Sequence, residues 1–299
     1  MSPTSGTDGP IAVVGATGQQ GGAVVDALLE RGSSVRALVR DPQAKRGRGL
    51  ADRGVELSQG DFTDPASLDA LFDGVSAAFA MTTMAGPDGI AGEVTSGIAI
   101  ADAAARAGIP HLVFSSVGGA ERHTGIPHFE SKRRVEEHIA SLGLHATIIR
   151  PVYFMENLTG FGVSVEDGEV VVRMALPDGV TLQMVAVKDI GRVAATILAG
   201  GTDVEGGSIE IAGDARTGSQ IAHAVGEHAG LPARFEPLPL NVLPSDDLQA
   251  MFRWFAETPA YRADIDQVRG LVPDLLDLPA WLAQSGWIPT DPYSRSAVY

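Results

Sequence analysis

Short apolar runs bounded by glycine, proline, aspartate or serine recur through the first half of the chain. They alternate with longer stretches whose apolar residues repeat every three to four positions. The first run, Ile11-Ala-Val-Val14, breaks at Gly15 and is followed by an amphipathic stretch, Ala23-Val-Val-Asp-Ala-Leu-Leu-Glu30, which Gly32 terminates. This pattern reads as a buried strand, a glycine turn and a helix. Further strands are predicted over 33–39, 55–59, 75–80, 111–114 and 145–150, the last stopped by Pro151. Between them, Asp64 caps a helix that opens at Pro65, an alanine-rich helix covers about 89–107, and a third helix over 126–142 ends at Gly143. Strand and helix alternate without exception, which predicts a parallel, doubly wound α/β sheet with ligands at the carboxyl ends of its strands.

After residue 158 the pattern changes. Short strands at 170–172, 181–185 and 208–211 mix with helices at 190–198, 219–228 and 246–256, and Asp189 reads as an N-cap. The predicted organisation is a disordered lead-in over 1–9, a core over 10–158, and strands completing the sheet plus a smaller, mostly helical cap over 159–299. Trp254, Trp281 and Trp287 all fall in that last part, where large rings usually pack as core or wall.

The glycine turn carries the first chemistry. In Gly15-Ala-Thr-Gly18-Gln-Gln-Gly21, Gly15 permits the tight turn, Gly18 lets the backbone approach a pyrophosphate, and Gly21 lets helix and strand pack closely. The first helical N–H groups and the helix dipole then face the anion, so the turn predicts dinucleotide binding. The end of the second strand meets the adenosine ribose, where an acidic residue bonds a 2′-hydroxyl and an arginine accommodates a 2′-phosphate. Arg40 stands there, followed by Lys45, Arg46, Arg48 and Arg53, so five of the 22 basic residues fall within fourteen positions. This local reversal of sign favours NADP(H), with NAD(H) possible because the adjacent Asp41 can serve a 2′-hydroxyl; a solvated helix face of mixed charge is the plainer alternative. Asp61 sits where an adenine edge would pass, and an aspartate there can equally satisfy loop amides.

Composition narrows the picture further. The 299 residues carry a formal net charge of −15, which opposes direct binding to a nucleic-acid backbone. Zero cysteines remove thiol chemistry and disulfides. No uncharged run approaches the roughly 18 residues of a membrane helix, and no signal sequence is visible, so a cytoplasmic protein without membrane attachment is expected. The seven histidines show no pair at metal-ligand spacing with a nearby carboxylate, and no metal site is expected.

Several ordered motifs carry a family likeness: Val13-Val-Gly-Ala-Thr-Gly-Gln-Gln-Gly-Gly22, Arg36-Ala-Leu-Val-Arg40-Asp-Pro, the Lys132 helix and Arg150-Pro-Val-Tyr-Phe-Met-Glu-Asn-Leu158. Together they resemble the NmrA-like family of atypical short-chain dehydrogenase/reductases. The likeness is close from about Pro10 to Leu198. It implies a Rossmann-type core that binds NADP(H). The implied cofactor set is Gly15, Thr17, Gly18, Gln19, Gln20, Gly21, Arg40, Lys45, Asp61, Phe62, Thr82, Thr83, Ser115, Lys132, Tyr153, Phe154 and Asn157. Active relatives place a tyrosine four residues before the lysine, so that the ammonium depresses the phenol pKa for proton transfer. Here that position is His128, which can serve as a general acid or simply fill the helix start. Lys132 and His128 are therefore the candidate catalytic pair. Ser115 and Ser116 end a strand where related enzymes keep a substrate-orienting serine, although small residues there also suit close packing. The favoured expectation is a cofactor-sensing regulatory protein read by a protein partner. The alternative is an NADPH-dependent oxidoreductase acting on a quinone or an activated double bond.

Overall fold

A computed structural model of the chain describes residues 9–200, 204–257 and 259–291. All but the last residue of the lead-in expected over 1–9 lies outside them, as do Tyr293 and Tyr299. The chain runs β1 (Ile11–Val13), α1 (Gln19–Glu30), β2 (Val35–Val39), α2 (Lys45–Ala51), β3 (Glu56–Gln59), α3 (Pro65–Phe72), β4 (Ala77–Met81), α4 (Gly89–Ala107), β5 (Leu112–Ser115), α5 (Pro127–Ser141) and β6 (Ala146–Pro151). It continues through β7 (Tyr153–Phe154), β8 (Val163–Glu166), β9 (Glu169–Met174), β10 (Leu182–Val185), α6 (Val187–Leu198), β11 (Ser208–Ile211), β12 (Asp214–Arg216), α7 (Gly218–Ala229), β13 (Ala233–Pro237), α8 (Asp246–Ala256), α9 (Ile265–Leu271) and α10 (Leu278–Ser285). Contacts divide it into two compact units, one made of the residues up to Arg150 with Lys188–Ile209, the other of Pro151–Val187 with the residues from Glu210 onward.

The first unit is built on a seven-stranded sheet of order β11-β6-β5-β4-β1-β2-β3. Strands β1 to β6 pair in parallel, and the order reverses between β1 and β4. That reversal is the switch point at which an open parallel sheet leaves a crevice for ligand. Burial follows position: β1 and β5 are buried throughout, as strands covered on both faces must be, whereas the edge strand β3 is half exposed. One face packs Ala12, Leu38, Ala78, Ala80, Leu112 and Phe114 against Leu68, Leu71 and Phe72 of α3, Ile100 and Ala104 of α4, and Val135 and Ile139 of α5. Asp64 caps α3 by accepting the Ala66 N–H, with Pro65 at the first helical position.

The second unit holds two three-stranded sheets, β12-β10-β7 and β13-β9-β8, beside its helices. Of the segments expected to complete the large sheet, only the one at 208–211 joins it; those at 170–172 and 181–185 lie within β9 and β10. The physical reason is local in one case. Asp167 and Gly168 both have positive φ (50° and 80°) and close β8 onto β9 as a two-residue hairpin, which commits β9 to its own sheet. Helix α6 begins two residues before the expected N-cap, so Asp189 falls within its first turn. The Val187 N–H is instead accepted by both carboxylate oxygens of Glu156, at 3.1 Å each, and Trp281 Nε1 donates to the same carboxylate at 3.0 Å. Asp189 is fully buried and pairs with Arg192 at 2.9 Å. Among the described residues no helix is long and apolar enough to cross a membrane.

Candidate active site

The glycine turn leaves β1 at the switch point of the sheet. Gly15 has φ of +81°, which a side chain would strain, and a Cβ on Gly21 would lie 2.2 Å from the Gly15 carbonyl oxygen. Helix α1 therefore starts as close to the strand as backbone allows. Its N-cap, Gly18, offers no side-chain acceptor, and its first turn holds no acidic residue. Thr17, Gly18 and Gln19 are exposed. An uncapped helix start without local negative charge, reached over exposed glycine backbone, fits a pyrophosphate. Gln20 ties this turn to the end of β5, its side-chain oxygen accepting the Ser115 hydroxyl at 2.7 Å.

At the neighbouring strand end, Arg40 and Lys45 are exposed and have no ion-pair partner among the described residues. The remaining basic residues of that run are engaged: Arg53 with Asp26 at 2.6 Å, Arg48 with the Gln43 carbonyl, and Arg46 with the Thr17 carbonyl at 3.0 Å. Arg46 thus links α2 to the glycine turn, which the sequence reading did not anticipate. Asp61 accepts the N–H and hydroxyl of Thr63 on one carboxylate oxygen, and Phe62 packs against the apolar core.

A buried polar cluster lies at the carboxyl ends of β4 and β5. Lys132, on α5 and 12% exposed, donates to the Thr82 carbonyl at 2.7 Å and the Thr82 hydroxyl at 2.9 Å, and its Nζ lies 3.0 Å from Glu93 Oε1. Those three acceptors match the three protons of an ammonium. Glu93, on α4 and 3% exposed, also accepts the hydroxyls of Thr82 and of the fully buried Ser131. The Phe114 ring lies under the ammonium, 5.7 Å from its centroid to Nζ. Burial pulls the Lys132 pKa below its ordinary value, and the Glu93 carboxylate opposes that pull. Next to Ser115, the Ser116 hydroxyl is buried and has no hydrogen-bond partner among the described residues. Thr83, by contrast, turns outward and accepts the Ala85 N–H. His128 lies in the first turn of α5, its ring edge-on to Phe129 with centroids 4.7 Å apart.

Tyr153, Phe154 and Asn157 belong to the second unit, in β7 and the 3-10 turn after it. Burial pushes the Tyr153 phenol up to about 12, against a smaller opposing effect of its hydrogen bond with Asn157. Residues that sequence reasoning missed are Glu93 and Ser131. Glu93 had a signal: with Gly97, Ile100 and Ala104 it occupies the buried stripe of α4, where a carboxylate needs a partner.

The NmrA-like family model matches residues 7–282. The chain belongs to the NmrA-like family. The NAD(P)H azoreductase of Xenophilus azovorans is 32% identical over 233 residues, which cover 77% of this chain and 78% of that protein. The NmrA-like family domain-containing oxidoreductase FrzB of Cladobotryum sp is 37% identical over 158 residues, but the match covers 49% of this chain and 47% of that one. The chain thus spans about half the length of FrzB. The Escherichia coli NADPH-dependent quinone oxidoreductase in complex with NADPH superposes with a TM-score of 0.79 at 22% identity, covering 93% of this chain and 100% of that one. NmrA, a negative transcriptional regulator, in complex with NAD, superposes equally well at 0.79 and 23% identity, covering 92% of this chain and 94% of that one. At such identities these two superpositions establish the shared NmrA-type fold and nothing finer.

Proposed function

We propose that the chain is an NADPH-dependent reductase that passes hydride to a flat, conjugated acceptor such as an azo compound, a quinone or an activated double bond. The observation that carries this reading is the commitment of all three Lys132 ammonium protons to Thr82 and Glu93. A bound dihydronicotinamide supplies the hydride. Reducing an isolated ketone also calls for an acid placed to protonate an alkoxide. Here the expected phenol is His128, Lys132 serves as a fixed cation, and the Tyr153 phenol is a weaker acid than a free one. A conjugated acceptor spreads the incoming charge over its own atoms and takes its proton from solvent afterwards. The azoreductase relative, which this chain matches over three-quarters of its length, supports the same class of chemistry.

On this reading the exposed Arg40 and Lys45 take the adenosine 2′-phosphate, and the preferred cofactor is NADP(H). The test is NADPH consumption over a panel of azo dyes, quinones, conjugated enones and simple ketones. Turnover with the conjugated acceptors and none with the ketones is expected; no turnover with any of them would sink the proposal. Arg40→Ala is expected to weaken NADPH binding by about 1.5 to 3 kcal/mol, the worth of a charge-assisted contact, and to leave NADH nearly unchanged. A second reading, a cofactor-sensing regulator acting through a protein partner, is favoured by His128 in place of the phenol. It is distinguished by tight NADPH binding without turnover of any acceptor.

A further inference from the structure

Glu93 sets a carboxylate against the Lys132 ammonium from another helix, and the turnover scheme above gives it no role beyond accepting one ammonium N–H. Its surroundings leave it little freedom. The side chain is 3% exposed; one oxygen meets Lys132 at 3.0 Å and the Thr82 hydroxyl at 3.2 Å, while the other accepts the buried Ser131 hydroxyl. The His128 carbonyl on the same helix, 2.9 Å from Ser131 Oγ, is the other acceptor within reach of that one hydroxyl proton. A carboxylate so enclosed costs several kcal/mol of desolvation unless it is paired. A pair placed for stability alone has no reason to lie at the carboxyl end of a parallel sheet, the end that takes ligand.

We propose that Glu93 is a positioning residue of the dinucleotide site, which through its ion pair holds Lys132 as a fixed cation at the ends of β4 and β5. The inference rests on the reading that the dinucleotide lies along those strand ends. The groups facing Lys132 are few. Helix α4 contributes Glu93, α5 contributes Glu136, which Arg150 already engages at 2.7 Å, the residue after β4 is Thr82, and β5 contributes the uncharged Phe114 ring. Without Glu93, the burial that already draws Lys132 toward its neutral form is opposed by Glu136, which Arg150 already engages. The amine then holds its proton less firmly, and where that proton is lost the site loses a positive charge facing a polyanionic ligand.

Glu93→Gln keeps the shape and removes the charge. Two readouts are taken without any electron acceptor: the NADPH dissociation constant by fluorescence from about pH 6 to about pH 9, and the rate of Lys132 reductive methylation by mass spectrometry. In the wild type the constant is expected to change little across that range and Lys132 to resist methylation. In Glu93→Gln, affinity is expected to match the wild type at the acid end and fall by about tenfold or more toward the alkaline end, with methylation accelerated by a similar factor. Should Glu93→Gln not be recovered folded, Glu93→Asp, which keeps the charge one methylene further away, is expected to show a smaller change of the same sign. An affinity lost equally at every pH would mean that Glu93 is scaffold only, and an unchanged profile with unchanged methylation would mean that it does not act through Lys132; either result overturns the proposal. Absence of turnover would leave this result standing, and a flat profile would leave the reductase reading standing.

Discussion

Two sets of opposite charges in this chain differ in every respect that decides what an ion pair is for. In the first unit, Glu93 and Lys132 are a single buried pair, closed in by Thr82, Ser131 and Phe114. In the second, a ladder runs across the β13-β9-β8 sheet. Arg173 grips Glu166 with two N–H groups at 2.6 and 2.9 Å and reaches Glu236 at 2.6 Å, while Arg234 joins Glu236 and Glu169. Its members keep a quarter to two-fifths of their side-chain surface in water. The ladder costs little desolvation, is screened by salt, and fastens the three strands of a small sheet to one another. The buried pair cannot be made cheaply, and it lies where ligand is taken. Burial and position, rather than the number of contacts, separate a charge pair kept for a site from one kept for stability.

The buried pair carries the largest expected effect. Lys132→Met leaves Glu93 buried without its cation and is expected to destabilise the protein by about 3 to 5 kcal/mol in urea unfolding. A loss under about 1 kcal/mol would mean that the pair is solvated after all. Replacing both members by apolar residues of similar volume, Glu93→Leu with Lys132→Met, is expected to recover most of that loss. If the double variant is no more stable than the single one, the desolvation argument fails. Arg173→Ala is expected to have the smallest effect, shrinking as salt is added. The Glu166 carboxyl is held down to about 2 from 4.5, chiefly by its hydrogen bonds from Arg173, so its stabilising contribution is present above pH 4.5 and lost as the pH falls towards 2. Arg173→Ala should abolish this acid-limb dependence, and an acid limb identical in the two proteins would contradict the assignment.

How far the sequence reaches follows from the range of the interactions involved. The glycine turn, the capped α3 and the β–α alternation were legible because each is encoded within a few residues of itself. Lys132 was legible from its place in a family motif. Its partner was not, because Glu93 lies on another helix, and the pairing exists only once α4 packs on α5. The stripe that Glu93 shares with Gly97 and Ile100 was the available sign, masked by the many small residues around it. Likewise β13 is absent from the predicted strands: Arg234 and Glu236 break an apolar pattern there, and their ladder partners are supplied by β9 and the β8–β9 hairpin. The Asp189 expectation failed for the same reason: the cap came from Glu156, a segment away in the chain.

The bond from Arg46 to the Thr17 carbonyl has a consequence for anyone redesigning the protein. It makes the basic segment that follows Arg40 and the glycine turn one mechanical piece, with α2 held to the turn by a single guanidinium. A conversion of cofactor preference should therefore be confined to Arg40 and Lys45. Sweeping Arg46 into the same set of replacements would loosen the turn and weaken either dinucleotide, so that a failed swap would be mistaken for a failed choice of specificity residue.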